Sequence, residues 1–284
     1  MRVAFATCST LPKGAPDDLR VAALLDADVC VWDDPAVDWT AYDRVIVRST
    51  WDYVDRLDAF LAWCESVGPE RLRNSPATVA FALDKRYLAG LTARTVPTTF
   101  VAPGDPLPAL SGEVVVKPAV SAGARDTGRF GPDSHDVARA LIARIQTSGR
   151  VALVQPYLPA VDIRGETGLV YFGGTLSHVL RKRAVLAPDE VAPPAPGGHG
   201  EAAAMHAEDL VVAGNANAAE RALAERIVAE VGERFGVALY ARVDLVSDAN
   251  GAPLLLELEV AEPALYLATA PGAAERFAAA IRAS

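Results

Sequence analysis

The feature that most constrains the fold of this chain is a pair of carboxylates inside an otherwise apolar strand near the C-terminus. Residues 254–260 read Leu-Leu-Leu-Glu-Leu-Glu-Val, a pattern typical of a buried strand. Because side chains alternate between the two faces of a strand, Glu257 and Glu259 point the same way. Taken alone, the pair has two interpretations, the solvated face of a strand or one half of a cation site.

A second predicted strand, with two charged residues on one face, precedes this one. Arg242 and Asp244 share a face of a predicted strand at 241–246, and turn-forming residues at 247–253 favour a hairpin between the two strands. Pairing in the hairpin brings Asp244 beside the two glutamates and next to the arginine. Like charges opposite each other destabilise a sheet. The cluster therefore predicts either a bound cation or compensation by Arg242.

Composition narrows the possible functions. The chain has 284 residues, 51% of them hydrophobic, and a formal net charge of −9 at pH 7. These values are typical of a globular α/β protein with two domains or one domain with inserted lobes. Without a basic face we expect no nucleic-acid partner. The three cysteines form no Cys-x-x-Cys pair, so neither a disulfide framework nor a zinc site is indicated.

The first residues read as a strand and contain no signal-peptide core, and no apolar stretch is long enough to span a bilayer. We therefore expect a cytoplasmic protein without membrane contact. The oligomeric state stays open, with a homodimer as one alternative.

Strand and helix signals alternate over the first 75 residues, with strands predicted at 2–8, 28–32 and 44–48 and helices at 17–25 and 57–67. This alternation predicts a parallel βαβ sheet, in which loops at the carboxyl ends of strands bind substrate. A turn-forming segment at 74–76 marks a boundary. Further strands are predicted at 113–117, 151–155, 168–172 and 175–183, and helices at 84–93, 134–147, 218–235 and 273–283. The Pro- and Gly-rich residues at 188–200 are predicted to form a mobile lid.

Only four of the 27 basic residues are lysines, and Lys85, Lys117 and Lys182 accompany the acidic hairpin in chain order. Lys117 ends a predicted strand before a loop of small residues. An ammonium group beside exposed backbone N–H groups suits phosphate binding, although a plain strand and turn explains this loop equally well. The GxxxxGK[ST] and GxGxxG patterns are absent, so a nucleotide site here is of another kind.

In this order and spacing, residues 75–263 resemble the ATP-grasp family of carboxylate–amine ligases. The resemblance implies an α/β ATP-grasp fold with α+β lobes: an N-terminal parallel βαβ domain, a small central lobe and a C-terminal antiparallel-sheet lobe. We place these at residues 1–75, 76–152 and 153–284.

The resemblance also implies roles for the lysines and for the loop after the second of them. Lys85 and Lys117 are similar to the family's two ATP lysines, and Ser121 and Gly123 lie in the phosphate-covering loop.

The segment with Gln155, Tyr157 and Leu158 resembles the hinge that binds adenine. Glu166 resembles the acidic ribose contact, with Asp162 as an alternative because the preceding stretch is longer than in D-alanine ligase relatives.

ATP and Mg²⁺ are the implied cofactors, and the implied magnesium ligands are Asp244, Glu257 and Glu259. Lys182 resembles the residue that contacts the γ-phosphoryl group, and we expect Arg242 to stabilise charge at the attacked carboxyl carbon. Both are candidate catalytic residues.

Residues 48–53, 177–178 and 259–263 narrow the resemblance to the branch that forms D-cycloserine. That branch activates the carboxylate of O-ureido-D-serine as an acyl phosphate and cyclises it in antibiotic biosynthesis, with the ureido group ending as carbon dioxide and ammonia. Its small amino-acid-like substrate implies three candidate contacts in this chain: Trp51, Tyr53 and Glu262. His178 is the histidine expected near this site.

Two positions depart from the usual ATP-grasp pattern. Glu259 replaces the common asparagine of the metal motif, and Glu262 replaces part of a Ser-Pro-Gly segment, which indicates a cationic or amine group on the substrate. Two other functions stay open: a ligase that joins two separate amino-acid-like substrates, and a non-catalytic ATP-binding regulator of the same fold.

Overall fold

The computed structural model describes residues 1–192, 207 and 209–284. Three β-sheets organise this part of the chain: a parallel four-stranded sheet, an antiparallel four-stranded sheet and an antiparallel five-stranded sheet. This arrangement confirms the predicted α/β class. Within the described residues, no helix has the length and apolar character needed to cross a membrane. The predicted lid at 188–200 lies outside the described residues from 193 onward.

The N-terminal sheet alternates strands and helices in the order β1 (Val3–Thr7), α1 (Pro16–Leu25), β2 (Asp28–Val31), β3 (Arg44–Ser49), α2 (Leu57–Val67) and β4 (Leu72–Arg73). Parallel pairing gives the strand order β2-β1-β3-β4, as the alternating pattern predicts. β3 continues into a 3₁₀ helix at Trp51–Asp55, where the sequence pattern predicts a loop.

The single helix predicted at 84–93 is wrong. An α-helix, α3 (Pro76–Leu83), comes first and is followed by a 3₁₀ helix at Lys85–Gly90. Ser75 begins α3 by accepting a hydrogen bond from the backbone N–H of Thr78, and proline at the first helical position suits this start. Asp84 separates the two helices because its carboxylate caps the second of them.

The central lobe contains β5 (Thr99–Val101), β6 (Val114–Pro118), β7 (Gly128–Phe130), α4 (His135–Thr147) and β8 (Ala152–Pro156). Its strand order is β5-β8-β6-β7, with antiparallel pairing throughout. The boundary drawn between residues 152 and 153 falls inside β8. Since β8 pairs with both β5 and β6, the central sheet continues to Pro156.

The C-terminal lobe contains α5 (Ala160–Arg164), β9 (Glu166–Phe172), β10 (Thr175–Lys182), β11 (Val211–Ala213), α6 (Ala218–Phe235), β12 (Tyr240–Ser247), β13 (Pro253–Glu259) and α7 (Ala273–Ala283). The strand order is β11-β10-β9-β12-β13. β12 and β13 form the predicted antiparallel hairpin, in which Arg242 lies opposite Glu259 and Asp244 lies opposite Glu257.

Helix α7 joins the N-terminal sheet to the C-terminal sheet. Its Phe277 stacks on Phe172 of β9 with ring centres 4.7 Å apart and belongs to the same buried cluster as Phe5 and Ile46 of the N-terminal sheet. Burial of large aromatic and aliphatic side chains is the main stabilising term in such a contact. The shared core therefore fixes the carboxyl-end edge of the N-terminal sheet relative to the acidic hairpin.

Candidate active site

A cavity of about 330 Å³ receives residues from all three lobes. Apart from the alternative ribose contact Asp162 and the nearby histidine His178, every residue that the sequence predicts as a site residue lines it: Trp51, Tyr53, Lys85, Lys117, Ser121, Gly123, Gln155, Tyr157, Leu158, Glu166, Lys182, Arg242, Asp244, Glu257, Glu259 and Glu262. The cavity is therefore the candidate active site.

Glu257 is paired with two lysines from other elements. Its carboxylate lies 3.0 Å from Nζ of Lys85, at the start of a 3₁₀ helix, and 4.0 Å from Nζ of Lys117, in β6. Burial opposes ionisation of this carboxyl, but the two ammonium groups outweigh burial and lower its pKa to about 2. Glu257 therefore stays charged and holds the two lysines together.

Arg242 compensates the other two carboxylates of the hairpin. It donates from Nε and Nη2 to the carboxylate of Asp244, each at 2.9 Å, and from Nη2 to Glu259. Burial raises the pKa of the Glu259 carboxyl to about 8, against the charge of Arg242 and with further upward contributions from Glu257 and Asp244. Burial and the neighbouring carboxylates of Glu257 and Asp244 therefore disfavour ionisation of Glu259.

The three predicted magnesium ligands line one cavity but do not converge on a point. No group of three or more His, Cys, Asp or Glu side chains in the described part of the chain lies close enough to hold a metal ion. Asp244 and Glu259 face Arg242 instead, and Glu257 faces the lysines. The donor chemistry nevertheless fits Mg²⁺, which prefers carboxylate oxygens, and the raised pKa of Glu259 indicates that a cation would be stabilised here.

A cluster of positive charge faces the hairpin. Lys182 ends β10 directly opposite Glu166 of β9, with Nζ 3.4 Å from the carboxylate, and Glu166 raises the lysine pKa despite burial. Burial lowers the pKa of Lys117, and the charges of Lys85 and Lys182 lower it further. Three buried ammonium groups in one cavity suit a polyanion such as the phosphates of a nucleotide.

The loop after Lys117 is held by a hydrogen bond from Lys85. Lys85 donates from Nζ to the backbone carbonyl of Ser121 at 3.1 Å. Gly123 has φ +61°, in the left-handed region where a side chain is unfavourable. The small residues therefore let this loop turn tightly over the lysine pair.

At the hinge, two of the predicted adenine-binding residues form side-chain hydrogen bonds within the protein. Gln155 donates to the hydroxyl of Thr98 at 2.9 Å, and Tyr157 donates from its hydroxyl to Asp162 at 2.6 Å. The apolar Leu158 also lines the cavity, and adenine binding by this segment stays a prediction.

The structure separates the two candidates for the ribose contact. Asp162 accepts hydrogen bonds from both terminal nitrogens of Arg129 at 2.9 Å and does not line the cavity. The Arg129 guanidinium, chiefly, lowers the pKa of Asp162. Glu166 lines the cavity, so the geometry favours Glu166 for the ribose contact, which stays a prediction, while Asp162 holds β7 against the hinge.

The N-terminal domain contributes two aromatic residues to the cavity, and both contact Glu262 of the C-terminal lobe. Trp51 donates from Nε1 to the backbone carbonyl of Glu262 at 3.2 Å, and the Tyr53 hydroxyl hydrogen-bonds to its carboxylate. Burial raises the pKa of Glu262. No lysine or arginine of the described residues forms an ion pair with Glu262, so its carboxylate is available for a cationic group.

His178 does not line the cavity, although the sequence places it near the site. Its Nε2 hydrogen-bonds to the backbone carbonyl of Leu265 at 2.8 Å and its Nδ1 to Ser177. Burial lowers the pKa of His178. Its role is therefore to support the loop that follows Glu262.

Because its folded pKa is lowered, His178 binds a proton in the unfolded chain before it does so in the folded protein. Stability is then fully present above the unfolded pKa of about 6.5 and falls as the pH drops through that value. We expect His178→Gln, which keeps a donor but does not titrate, to lose less unfolding free energy than the wild type between pH 7.5 and 5. Urea unfolding at both pH values measures this; equal losses would contradict it.

Leu256 and Tyr266 are among the cavity residues that the sequence patterns do not identify. Leu256 is the extra residue of a β-bulge, since Glu257 pairs with Asp244 while Leu255 pairs with Leu245. The bulge aims Leu256 into the cavity together with Glu257, which strict alternation along the strand does not allow. Tyr266 also lines the cavity, and neither its spacing nor its neighbours in the chain signals it.

Comparison with known proteins supports a specific family. A sequence model described as "D-cycloserine synthetase DcsG, N-terminal domain" matches residues 3–74. The cycloserine biosynthesis protein DcsG of Streptomyces lavendulae is 37% identical over 276 residues, covering 90% of this chain and 88% of the relative. The chain belongs to the D-cycloserine synthetase family.

Solved structures agree with this family assignment. The crystal structure of D-cycloserine synthetase DcsG superposes with a TM-score of 0.83 at 32% identity, covering 99% of this chain and 98% of that chain. D-alanine–D-alanine ligase from Bacillus anthracis, solved in complex with ATP, has a TM-score of 0.65 at 11% identity, covering 99% of this chain and 94% of that chain. These matches confirm the predicted ATP-grasp fold and the prediction of an ATP-dependent ligase.

Proposed function

We propose that this member of the synthetase family binds ATP and Mg²⁺, activates the carboxylate of O-ureido-D-serine as an acyl phosphate and cyclises it to D-cycloserine. The observation that carries the proposal is one cavity in which a lysine cluster, an acidic hairpin and a buried carboxylate from the substrate side meet. The name of the relative from Streptomyces lavendulae, a cycloserine biosynthesis protein, supports the choice of product.

Nucleotide binding uses the positive side of the cavity. Lys85 and Lys117 would contact the ATP phosphates, with the loop of Ser121 and Gly123 above them, and Glu166 would contact the ribose. Asp244, Glu257 and Glu259 would hold Mg²⁺ once the phosphates attract Lys85 and Lys117 away from Glu257. The metal would supply neutralisation of phosphate charge, the usual role of a divalent cation in phosphoryl transfer.

The chemistry requires positioning and charge stabilisation and no nucleophilic side chain. A carboxylate oxygen of the substrate attacks the γ-phosphorus and ADP leaves. Lys182 and Lys117 neutralise the transferring phosphoryl group, while Arg242 stabilises negative charge that develops at the carboxyl oxygens.

Ring closure follows within the same substrate molecule. The nitrogen bonded to the side-chain oxygen attacks the acyl carbon, loses its proton and displaces phosphate. Hydrolysis of the remaining carbamoyl group with one water yields carbon dioxide and ammonia. Holding both reacting groups in one molecule removes the entropic cost of bringing a second amine to the site.

Glu262 is the proposed contact for the substrate's amino group. Its carboxylate is oriented by Tyr53 and has no ion-pair partner among the described residues. A substrate ammonium group would form that ion pair. Trp51 holds the same residue through its backbone. We infer a small amino-acid-like substrate and a cytoplasmic enzyme, since ATP is the co-substrate; a homodimer stays a prediction.

An ADP-release assay tests the proposed function. O-ureido-D-serine, its L-enantiomer and a panel of small amino acids are each supplied with ATP and Mg²⁺, and the products are identified by mass spectrometry. We expect ADP, phosphate and D-cycloserine from O-ureido-D-serine alone. A requirement for a second amine would instead indicate a ligase that joins two substrates, and ATP binding without turnover of any substrate would indicate a regulator.

Removal of the Glu262 charge should weaken binding of the amino acid. In Glu262→Gln the amide keeps a hydrogen bond with Tyr53 but loses the ion pair with the substrate. We expect KM for O-ureido-D-serine to rise about 10- to 100-fold, the value of one charge-assisted hydrogen bond, with KM for ATP unchanged. The exposed Glu70→Gln serves as the matched control, and an unchanged KM in Glu262→Gln contradicts the assignment.

A further inference from the structure

Tyr266 lies beside the two residues that are proposed to act on the reacting groups. It lines the cavity, and the guanidinium carbon of Arg242 is 5.8 Å from the centre of its ring. Lys182 lines the same cavity. The tyrosine ring therefore lies beside the proposed acyl contact, in the cavity that also holds the proposed phosphoryl contact.

The backbone of Tyr266 has an unfavourable conformation for its residue type. Its φ of 50° and ψ of 45° lie in the left-handed helical region. Glycine and asparagine adopt this region readily, whereas a tyrosine crowds its Cβ against the backbone. A bulky residue in such a conformation calls for an explanation from its surroundings or its function.

Hydrogen bonds before Tyr266 hold this conformation. The carbonyl of Ala264 accepts from Nη1 of Arg242 at 2.6 Å, and the carbonyl of Leu265 accepts from Nε2 of His178 at 2.8 Å. Two consecutive carbonyls are thus fixed by buried side chains of the C-terminal sheet.

Hydrogen bonds after Tyr266 complete the restraint. Its own carbonyl accepts from the backbone N–H of Thr269 at 2.9 Å and from the Thr269 hydroxyl at 2.8 Å. The N–H of Leu267 donates to the carboxylate of Asp17 at 2.8 Å, which ties the segment to the N-terminal domain. The backbone is over-determined on both sides, so the direction of the tyrosine side chain is fixed before any ligand binds.

The hydroxyl of Tyr266 is a donor with no protein acceptor in the described part of the chain, since the hydrogen bonds found there involve only its carbonyl. A fixed donor beside Arg242, in the cavity that Lys182 also lines, suits an anionic oxygen of a bound substrate. The carboxyl group of the amino-acid substrate supplies that oxygen, first as a carboxylate and then as the acyl oxygen of the acyl phosphate.

On the basis of the proposed function, we propose that Tyr266 is a substrate-binding residue whose hydroxyl donates a hydrogen bond to an oxygen of the substrate carboxyl group. The strained backbone is the means by which the fold aims this donor into the cavity.

Steady-state kinetics of Tyr266→Phe test the proposal. This change removes the hydroxyl and keeps the ring. We expect kcat/KM for O-ureido-D-serine to fall on the order of 10- to 100-fold, with KM for ATP and the thermal unfolding midpoint unchanged. The matched control is Tyr171→Phe, which should leave all constants unchanged: the Tyr171 hydroxyl is buried, lies outside the cavity and has no hydrogen-bond partner among the described residues.

Tyr266→Asn separates backbone strain from side-chain function. Asparagine tolerates the left-handed region, so we expect an equal or higher unfolding midpoint together with a loss in kcat/KM at least as large as in Tyr266→Phe. Wild-type kcat/KM in Tyr266→Phe, or a rise in KM for ATP alone, would overturn the proposal.

A failure of the proposed function gives a different result. In that case the wild type releases no ADP with O-ureido-D-serine, and Tyr266→Phe is compared with the wild type on whichever amino acid of the panel supports ADP release. An equal kcat/KM of the two proteins on that substrate would overturn the Tyr266 proposal on its own.

Discussion

Glu257→Gln should reduce ATP-dependent ADP release on the order of 10³-fold, the largest effect expected of a single substitution in this protein. Glu257 is the carboxylate shared by Lys85 and Lys117 and a proposed Mg²⁺ ligand. Glutamine has nearly the same shape but carries no charge, so it neither binds the cation tightly nor holds the two lysines together. The effect should appear in kcat as well as in KM for ATP.

The same change should also lower stability. The folded protein keeps the Glu257 carboxyl ionised, with a pKa of about 2, because the two lysines stabilise the charge. That contribution is present above the unfolded pKa of about 4.3 and is lost as the pH falls toward 2. Glu257→Gln cannot carry this charge, so the unfolding midpoint of this variant should be lower than that of the wild type at neutral pH.

Two controls separate folding from chemistry. Circular dichroism at the assay temperature establishes whether the variant is folded, and Glu257→Asp keeps the charge on a side chain one methylene shorter and should retain intermediate activity. Glu65→Gln, on the exposed face of α2, controls for loss of one carboxylate elsewhere. A folded Glu257→Gln that releases ADP at the wild-type rate would show that the magnesium assignment is wrong.

Lys117→Met should raise stability while it lowers activity. Lys117 is buried between two other ammonium groups, and burial together with Lys85 and Lys182 lowers its pKa. Its charged form is thus disfavoured in the folded protein. Methionine has a similar length and no charge, so we expect the unfolding midpoint to rise by a few degrees, about what 1 kcal/mol gives a protein of this size.

The functional cost of Lys117→Met should be large. The substitution removes one of the positive groups proposed to meet the ATP phosphates, so we expect KM for ATP to rise on the order of 10²-fold and kcat to fall as well. Differential scanning fluorimetry and ADP release on the same preparation measure both effects. The exposed Lys13→Met is the matched control. A variant that is less stable and fully active would contradict both parts of the expectation.

The residues proposed for the ATP side of the site could be found in the sequence because they lie in short local patterns. Glu257 and Glu259 alternate on one strand, Arg242 and Asp244 alternate on its hairpin partner, and a turn between them sets their pairing. Alternation and turn chemistry are local properties of the chain. The spacing of the lysines around this hairpin then carried the family resemblance.

Other features of the site depend on contacts between distant parts of the chain. Glu166 and Asp162 are equivalent candidates in the sequence, and only the approach of Arg129 from β7 removes Asp162 from the cavity. His178 is near the site in the sequence pattern, but packing directs it to the carbonyl of Leu265. These outcomes depend on which long-range hydrogen bonds form.

By itself the sequence determined the α/β class, the acidic hairpin and the charged residues that line the cavity, because periodicity, turns and motif order are written locally. Only the tertiary structure decided how those charges are partnered. It placed Arg242 on Asp244 and Glu259, the lysines on Glu257, and Tyr266 in a strained conformation beside them. Buried charges and fixed backbone angles depend on every neighbouring element, and those neighbours are chosen by packing.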